Sequence, residues 1–248
     1  MTRLRFALLN AAHGDESTTR NFRRELDADL TEFHATDGQL PDHHEFDGIV
    51  ITGSRASVYW DEDWIPPLVE YVADAHERDI PILGVCYGHQ ILAEALDGRV
   101  AGMDDFEIGY NEIQRRPGAA DDELLGNLGD AFTVFTTHGD AVVDLPPDAE
   151  LLAENEFGVH AFRAGHAWGV QFHPEYDIAT AREVTEGKRD SIGDERVDAV
   201  LADVTPANYE TACEAKRLFE NFTQYARRVA DEAASSGEGT DAPTATDD

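Results

Sequence analysis

The chain has 248 residues, of which 51 are acidic and 19 basic, and its formal net charge is −32. Such a surface repels phosphate backbones and anionic lipid, so we expect no binding to nucleic acid or to a membrane surface. The hydrophobic fraction of 42% is too high for a disordered chain and is sufficient for a buried core. Acidity spread along a chain that has two lysines, Lys188 and Lys216, is typical of halophilic proteins, because dissolved salt screens the self-repulsion.

Cysteine usage and hydropathy bear on the compartment. The two cysteines, Cys86 and Cys213, are too few for a disulfide framework and favour a reducing interior. No apolar run approaches the roughly 20 residues that span a bilayer. The short run Phe6–Leu9 reads as a buried strand rather than a signal segment. A cytoplasmic location is therefore expected.

The first hundred residues alternate between short apolar runs and amphipathic segments. Phe22, Leu26 and Leu30 recur at a spacing of four and predict one face of a helix. Strands are predicted over Leu4–Asn10, Phe46–Gly53 and Ile80–Val85, and helices over Thr18–Thr31, Ile65–Ala75 and Gln90–Leu96. This alternation predicts an α/β fold with a doubly wound parallel sheet flanked by helices.

From Arg99 to Pro174 short strands separated by turns predominate, and they predict an antiparallel extension that makes the sheet mixed. The predicted strands are Glu107–Gln114, Ala131–Thr137, Leu151–Glu154, Val159–Arg163 and Ala167–Phe172. Residues 177–210 are polar and predict an extra helical segment, and Asn208–Val229 predicts a long helix. We therefore expect one domain over 1–229 and an acidic disordered tail over 230–248.

Cys86 stands in the sequence Gly84-Val85-Cys86-Tyr87-Gly88, at a predicted junction between a buried strand and a helix. This layout matches a nucleophile elbow with sulfur in place of oxygen. A helix N-terminus favours a thiolate, and the backbone N–H of Tyr87 is placed to stabilise an oxyanion. The structural alternative is a small buried cysteine packed at a strand end.

His173 and Glu175 follow a predicted strand and are separated by Pro174. Residues i and i+2 of an extended chain face the same side, so the carboxylate can orient the imidazole and stabilise its cation. The alternative is a surface His–Glu pair in a loop. For His138 the alternative is a turn histidine in a hairpin.

The loop after the second predicted strand begins at Thr52, Gly53 and Ser54. Loops at the carboxyl end of parallel strands line the ligand crevice of such sheets. We expect backbone N–H groups of Gly53 and Ser54 to supply a second oxyanion donor. The alternative is an ordinary polar connection.

Together these motifs resemble the class I glutamine amidotransferases, and in particular the glutaminase domain of GMP synthase. The segments that carry the resemblance are Gly84–Gln90, Gly169–Glu175, Glu107–Gly109, His138–Asp140 and Ser57–Tyr59. Two departures stand out. Ser54 and Arg55 replace the second glycine and the proline of the family loop, and the segment 177–210 is longer than the family's compact domain carries.

The resemblance implies a glutaminase with the catalytic set Cys86, His173 and Glu175, in which Gln90 and His138 help to hold the substrate. The products would be glutamate and ammonia. No phosphate-binding loop for ATP is present in the sequence, so a separate ATP-dependent synthetase is expected to use the ammonia. We expect no cofactor and no metal; the adjacent His43 and His44 lack further ligands.

Two alternatives remain open. A γ-glutamyl peptidase or hydrolase would cleave the same bond with a larger leaving amine. A non-catalytic binding module would retain the fold alone, although the retention of Cys86, His173 and Glu175 together argues against it.

Overall fold

Nine strands form one mixed sheet in the computed structural model, which describes residues 3–14 and 16–237. The strands are β1 (Arg5–Asn10), β2 (Asp29–His34), β3 (Gly48–Ile51), β4 (Ile82–Val85), β5 (Arg99–Arg115), β6 (Ala131–Asp144), β7 (Glu150–Asn155), β8 (Gly158–Ala164) and β9 (Ala167–Val170). Their order across the sheet is β2-β1-β3-β4-β9-β8-β7-β5-β6.

Helices cover both faces of this sheet. They are α1 (Glu16–Glu25), α2 (Ile65–Glu77), α3 (Tyr87–Ala95), α4 (Ile178–Glu186), α5 (Arg189–Ile192), α6 (Asp194–Asp203), α7 (Pro206–Ala212) and α8 (Arg217–Gly237). Short 3-10 turns occur at Ala35–Asp37, Pro117–Asp121 and Cys213–Lys216. No described helix is long and apolar enough to cross a membrane.

The parallel half of the sheet explains the apolar runs of the sequence. Strands β2, β1, β3 and β4 are parallel, and β3 and β4 are buried along their whole length. Strands covered on both faces read as continuous hydrophobic runs because neither face meets water. The doubly wound prediction is confirmed.

Strand β9 joins the two halves, since it pairs parallel with β4 and antiparallel with β8. The remaining pairs, β8 with β7, β7 with β5 and β5 with β6, are antiparallel. The predicted antiparallel extension of the same sheet is therefore present. It brings the end of β9, late in the chain, beside the end of β4.

The predicted helix over Thr18–Thr31 is wrong in its second half. Helix α1 ends at Glu25, and Leu30 lies instead in the edge strand β2, opposite Phe6 of β1. Phe22 and Leu26 are buried as the helical spacing predicted. Leu30 packs against the same core as Phe22 and Leu26 although it lies in a strand, so its spacing did not distinguish a strand from a helix. Pairing with β1 supplies hydrogen-bond partners for the backbone of this strand.

The C-terminal helix differs from the single helix predicted over Asn208–Val229. It is divided into α7, the turn Cys213–Lys216 and α8, and α8 continues to Gly237. Residues 230–237, expected within the acidic tail, are thus helical, and 238–248 lie outside the described residues. On α8, Phe219 packs edge-to-face on Phe22 of α1, with 6.0 Å between ring centroids, which fixes both helices to one face of the sheet.

Helices α4 to α7 occupy the predicted extra segment. A small apolar cluster attaches them to β5 and β6; its buried members are Ile108, Phe135, Ala181 and Val204. The side chain of Asp177 caps α4 by accepting the Thr180 N–H at 2.8 Å. This packing places the extra segment beside the carboxyl ends of β4 and β9.

Candidate active site

Cys86 occupies a sharp turn between β4 and α3. Its backbone has φ 53° and ψ −102°, a conformation that non-glycine residues adopt rarely and at an energetic cost. The turn is held by a hydrogen bond from the Cys86 N–H to the Val170 carbonyl at 2.8 Å. A β-carbon on Gly84 would overlap the Gly88 carbonyl, and one on Gly88 would overlap the Ile51 carbonyl. Both glycines are therefore required by close backbone approach.

His173 and Glu175 lie just beyond β9, and both are buried. The Nδ1 atom of His173 is 2.8 Å from Oε1 of Glu175, so the carboxylate orients the ring. Tyr176 stacks on the imidazole with 4.1 Å between centroids, and Arg24 donates to the backbone carbonyl of Glu175 at 2.5 Å. The two side chains face the same side, as their spacing predicted, and they form a buried contact rather than a surface pair in a loop.

The strand order brings Cys86 and His173 together. Gly84 pairs with Gly169 across β4 and β9, so the turn after β4 and the segment after β9 leave the sheet side by side. Both side chains line one cavity, and Gly53 lies between them. A β-carbon on Gly53 would be 3.0 Å from Cε1 of His173 and 3.7 Å from Cβ of Cys86.

The electrostatic surroundings of His173 favour its protonated form. Burial by itself lowers the pKa of the ring, but the Glu175 carboxylate and the Cys86 sulfur oppose this and raise the pKa to about 10. An imidazole that keeps its proton beside a sulfur atom can serve as an acid toward a leaving group. The arrangement suits nucleophilic attack followed by proton donation.

The loop after β3 is tied to the hairpin of β5 and β6. Asp140 accepts hydrogen bonds from the Ser57 hydroxyl at 2.5 Å and from the Tyr59 hydroxyl at 2.7 Å. Two sequence motifs that lie about eighty residues apart are thereby joined. This contact holds Gly53 and Ser54, which both line the Cys86 cavity, against the site.

Two adjoining cavities meet at Cys86. The larger, of about 270 Å³, is lined by Gly53, His173 and Glu175 together with residues of α4 and α5; the smaller, of about 220 Å³, is lined by Tyr87, Gln90, His138 and Asp140. Five residues line both cavities: Ser54, Arg55, Cys86, Thr137 and Lys188. Every predicted site residue therefore borders one of these two spaces.

The predicted substrate-binding residues are held by buried polar contacts. The Gln90 amide donates to the Asp140 carbonyl at 3.2 Å and to the Gln171 side chain at 3.1 Å. His138 contacts the Asp140 carbonyl through Nδ1 at 2.9 Å. Both side chains are thus fixed at the wall of the smaller cavity.

A family model described as "Glutamine amidotransferase class-I" matches residues 16–186, which is more than half of the chain. The chain belongs to the class I glutamine amidotransferases. A solved glutamine amidotransferase from Thermotoga maritima superposes with a TM-score of 0.76 at 21% identity, covering 90% of this chain and all of that one. This likeness supports the fold.

Two curated proteins that are similar to this chain have different names. A GMP synthase from Thermomicrobium roseum is 39% identical over 141 residues, 56% of this chain but 25% of that protein. Gamma-glutamyl peptidase 3 of Arabidopsis thaliana is 33% identical over 166 residues, 62% of this chain and 66% of that protein. The match therefore spans about a quarter of the GMP synthase and about two thirds of the peptidase.

A buried polar cluster that the sequence did not predict lies beside the smaller cavity. Nε2 of His138 is 2.6 Å from Oε2 of Glu107, Nε2 of His160 is 3.1 Å from the same oxygen, and Asn155 donates to Oε1 at 2.7 Å. Burial raises the pKa of Glu107, but both histidines oppose this and lower it to about 2. The side-chain atoms of Glu107, His138 and His160 lie close enough together to bind a metal ion. The 2.6 Å separation between His138 and Glu107 is, however, that of a direct hydrogen bond. The sequence around His160 did not indicate a site residue, because the residues that His160 contacts lie in two other strands.

Lys188 and Arg55 were also not predicted as site residues. Lys188 follows α4 and reaches both cavities, and Arg55 belongs to the loop whose departure from the family pattern was visible in the sequence. The scarcity of lysine in this chain is the signal that could have directed attention to Lys188.

Proposed function

We propose that this protein hydrolyses the side-chain amide of glutamine through a covalent thioester on Cys86, with His173 and Glu175 completing a catalytic triad. The observation that carries the proposal is the buried His173–Glu175 contact of 2.8 Å facing the cavity that contains Cys86. A nucleophile, a base and an orienting carboxylate in this relation are the components of acyl transfer.

The reaction follows from the position of each group. The Cys86 sulfur attacks the carboxamide carbon, and the oxyanion forms near the Tyr87 N–H and the loop of Gly53 and Ser54. His173 gives its proton to the departing nitrogen as the C–N bond breaks. It then takes a proton from water, which attacks the thioester and releases glutamate. Glu175 keeps the ring oriented throughout.

Gln90 and His138 line the smaller cavity, on the side of Cys86 away from the leaving group. We assign them to the glutamyl part of the substrate, as the family resemblance implies. The ammonia is released toward the larger cavity, since His173 lines it. A separate ATP-dependent synthetase of the GMP synthase kind is the proposed acceptor, and co-purification at high salt tests for it.

A second candidate activity is γ-glutamyl peptidase action at the same triad. The specific observation in its favour is the size of the leaving-group cavity, about 270 Å³, which exceeds what ammonia needs. The relative named as a γ-glutamyl peptidase is consistent with this candidate.

The decisive experiment compares Cys86→Ala with Cys213→Ala. Both cysteines are free, but Cys213 lies in the turn between α7 and α8, outside the residues that line either cavity. We expect Cys86→Ala to lose ammonia release from glutamine and labelling by a glutamine-analogue electrophile, and Cys213→Ala to retain both. Equal ammonia release by the wild-type protein and Cys86→Ala would refute the proposal.

A further inference from the structure

The leaving group of the proposed reaction has a defined place in the structure. His173 must reach the departing nitrogen in order to protonate it, and His173 lines the larger cavity but not the smaller one. The amine therefore departs into the larger cavity. The wall of that cavity includes Gly187, Lys188 and Ser191 of the extra segment. The extra segment is therefore positioned to contact the departing amine.

Lys188 is distinctive among the cations of this chain. It is half-buried at the junction of the two cavities, and its Nζ lies 5.0 Å from the centre of the Phe106 ring. Neither Lys188 nor Arg55 has a carboxylate within ion-pair distance among residues 3–14 and 16–237, although the chain has 51 acidic residues. Burial lowers the pKa of Lys188, and Arg55 lowers it further, while Cys86 opposes the effect.

A second observation indicates that a polar ligand belongs at this junction. The Thr137 side chain is 8% exposed, and its hydroxyl has no hydrogen-bond partner in the described part of the chain. A buried polar atom without a partner is costly unless a ligand supplies one. Thr137 lines both cavities, as Lys188 and Arg55 do. Glu183 is exposed and lines the larger cavity but not the smaller one.

We propose that Lys188, together with Arg55, binds the carboxylate of an amino acid leaving group, so that the substrates of this site include γ-glutamyl peptides. The inference rests on the proposed function and extends it to a substrate class. In a γ-glutamyl dipeptide the second carboxylate is attached to the carbon next to the leaving nitrogen. It therefore lies close to the scissile bond, and Lys188 lines both of the cavities that meet at Cys86.

The chemistry balances without any further reactant. The Cys86 sulfur forms a bond to the γ-carbonyl carbon, the C–N bond breaks, and His173 transfers its proton to the nitrogen of the departing amino acid. Water then hydrolyses the thioester. The sum is γ-glutamyl amino acid plus water giving glutamate plus the free amino acid.

The test uses two substrates that differ by one charge, γ-glutamylglycine and γ-glutamylglycinamide. We expect the wild-type protein to have a kcat/KM for γ-glutamylglycine that is higher by on the order of tenfold, the effect of one charge-assisted contact. Lys188→Gln should lower this ratio severalfold, with Arg55 supplying what remains, and Lys188→Arg should keep most of it. Lys216→Gln is the matched control, because Lys216 is paired with Glu25 away from the cavities, and it should not change the ratio.

Several results would overturn the inference. A ratio close to one in the wild-type protein, or the same ratio in Lys188→Gln, would show that the leaving carboxylate is not recognised. An equal rise in KM for both substrates and for glutamine would place Lys188 at the glutamyl group instead.

Loss of the proposed function has a different signature. In that case the wild-type protein would turn over neither peptide nor glutamine, and Cys86 would not be labelled. Calorimetry of both peptides on Cys86→Ala tests the inference without turnover. Tighter binding of γ-glutamylglycine that weakens severalfold on adding Lys188→Gln would support it, and equal affinities for the two peptides in Cys86→Ala would overturn it.

Discussion

Replacing Glu175 by Gln removes one negative charge from beside His173 and keeps the size of the side chain. The Nδ1 atom of His173 is 2.8 Å from Oε1 of Glu175, and a glutamine oxygen can still accept this hydrogen bond. The substitution therefore tests the charge more than the geometry. Glu175 is 1% exposed, so water screens its interaction with the ring poorly.

The size of the effect follows from the pKa of His173. The buried ring titrates at about 10 instead of 6.5, because Glu175 and Cys86 outweigh the effect of burial. This difference corresponds to roughly 5 kcal/mol in favour of the protonated ring. Loss of one adjacent charge lowers such a pKa by about 1 to 3 pH units.

The assay is the pH profile of kcat/KM for ammonia release. A group with a raised pKa keeps its proton to higher pH, so the wild-type protein should retain activity until about pH 10. In Glu175→Gln the basic limb should move to lower pH by about 1 to 3 units. The maximal rate should fall by about 10²- to 10⁴-fold, because the imidazolium is less stabilised.

Asp177→Asn is the matched control. Asp177 lies two residues further along, caps α4 and pairs with Arg24 at 2.9 Å. Asparagine is an equally good capping residue, so the fold is kept while a nearby charge is lost. We expect its profile to coincide with that of the wild-type protein. An unchanged basic limb and rate in Glu175→Gln would refute the assigned role of Glu175.

Two further changes test the packing and the titration of buried groups. Gly53→Ala should lower kcat by on the order of 10²-fold with little loss of stability, because the added methyl group would lie 3.0 Å from the His173 ring and displace it. Gly118→Ala is the control and should retain activity, because its methyl group would contact only the end of a flexible side chain at 3.7 Å. Equal rates in the two variants would contradict the geometry. His89 is buried and its pKa is lowered to about 3 by burial, so the unfolded chain binds a proton that the folded chain does not, and stability should fall as the pH drops from about 6.5 toward 3. Denaturant unfolding of His89→Asn should lack this part of the pH dependence, and the same slope in both proteins would show that His89 is not its source.

The local sequence was sufficient for the turn that presents Cys86. Gly84 and Gly88 on either side of it predict close backbone approach, and the structure shows that a β-carbon at either position would overlap a carbonyl. The buried runs that became β3 and β4 were predicted for the same reason, since strands covered on both faces must be apolar throughout. Local pattern failed at Leu30, where strand pairing with β1 decided the outcome.

The extra segment shows where local reasoning ends. Its polar composition predicted helices, but nothing in it indicated that Lys188 would reach the same cavities as Arg55, more than a hundred residues earlier. Likewise, His160 is an unremarkable strand residue until β8 is placed near Glu107 of β5 and His138 of β6. Charge–charge relations of this kind depend on distances in space and leave no periodic signal in the sequence.

For the site as a whole, the sequence by itself determined the chemical groups: a cysteine on a glycine-flanked turn, and a histidine two residues before a glutamate. Only the tertiary structure decided that they meet. The pairing of β4 with β9 places Gly84 opposite Gly169, so two segments far apart in the chain leave the sheet together. Hydrogen bonding between strands fixes that register, and burial of both strands prevents it from slipping.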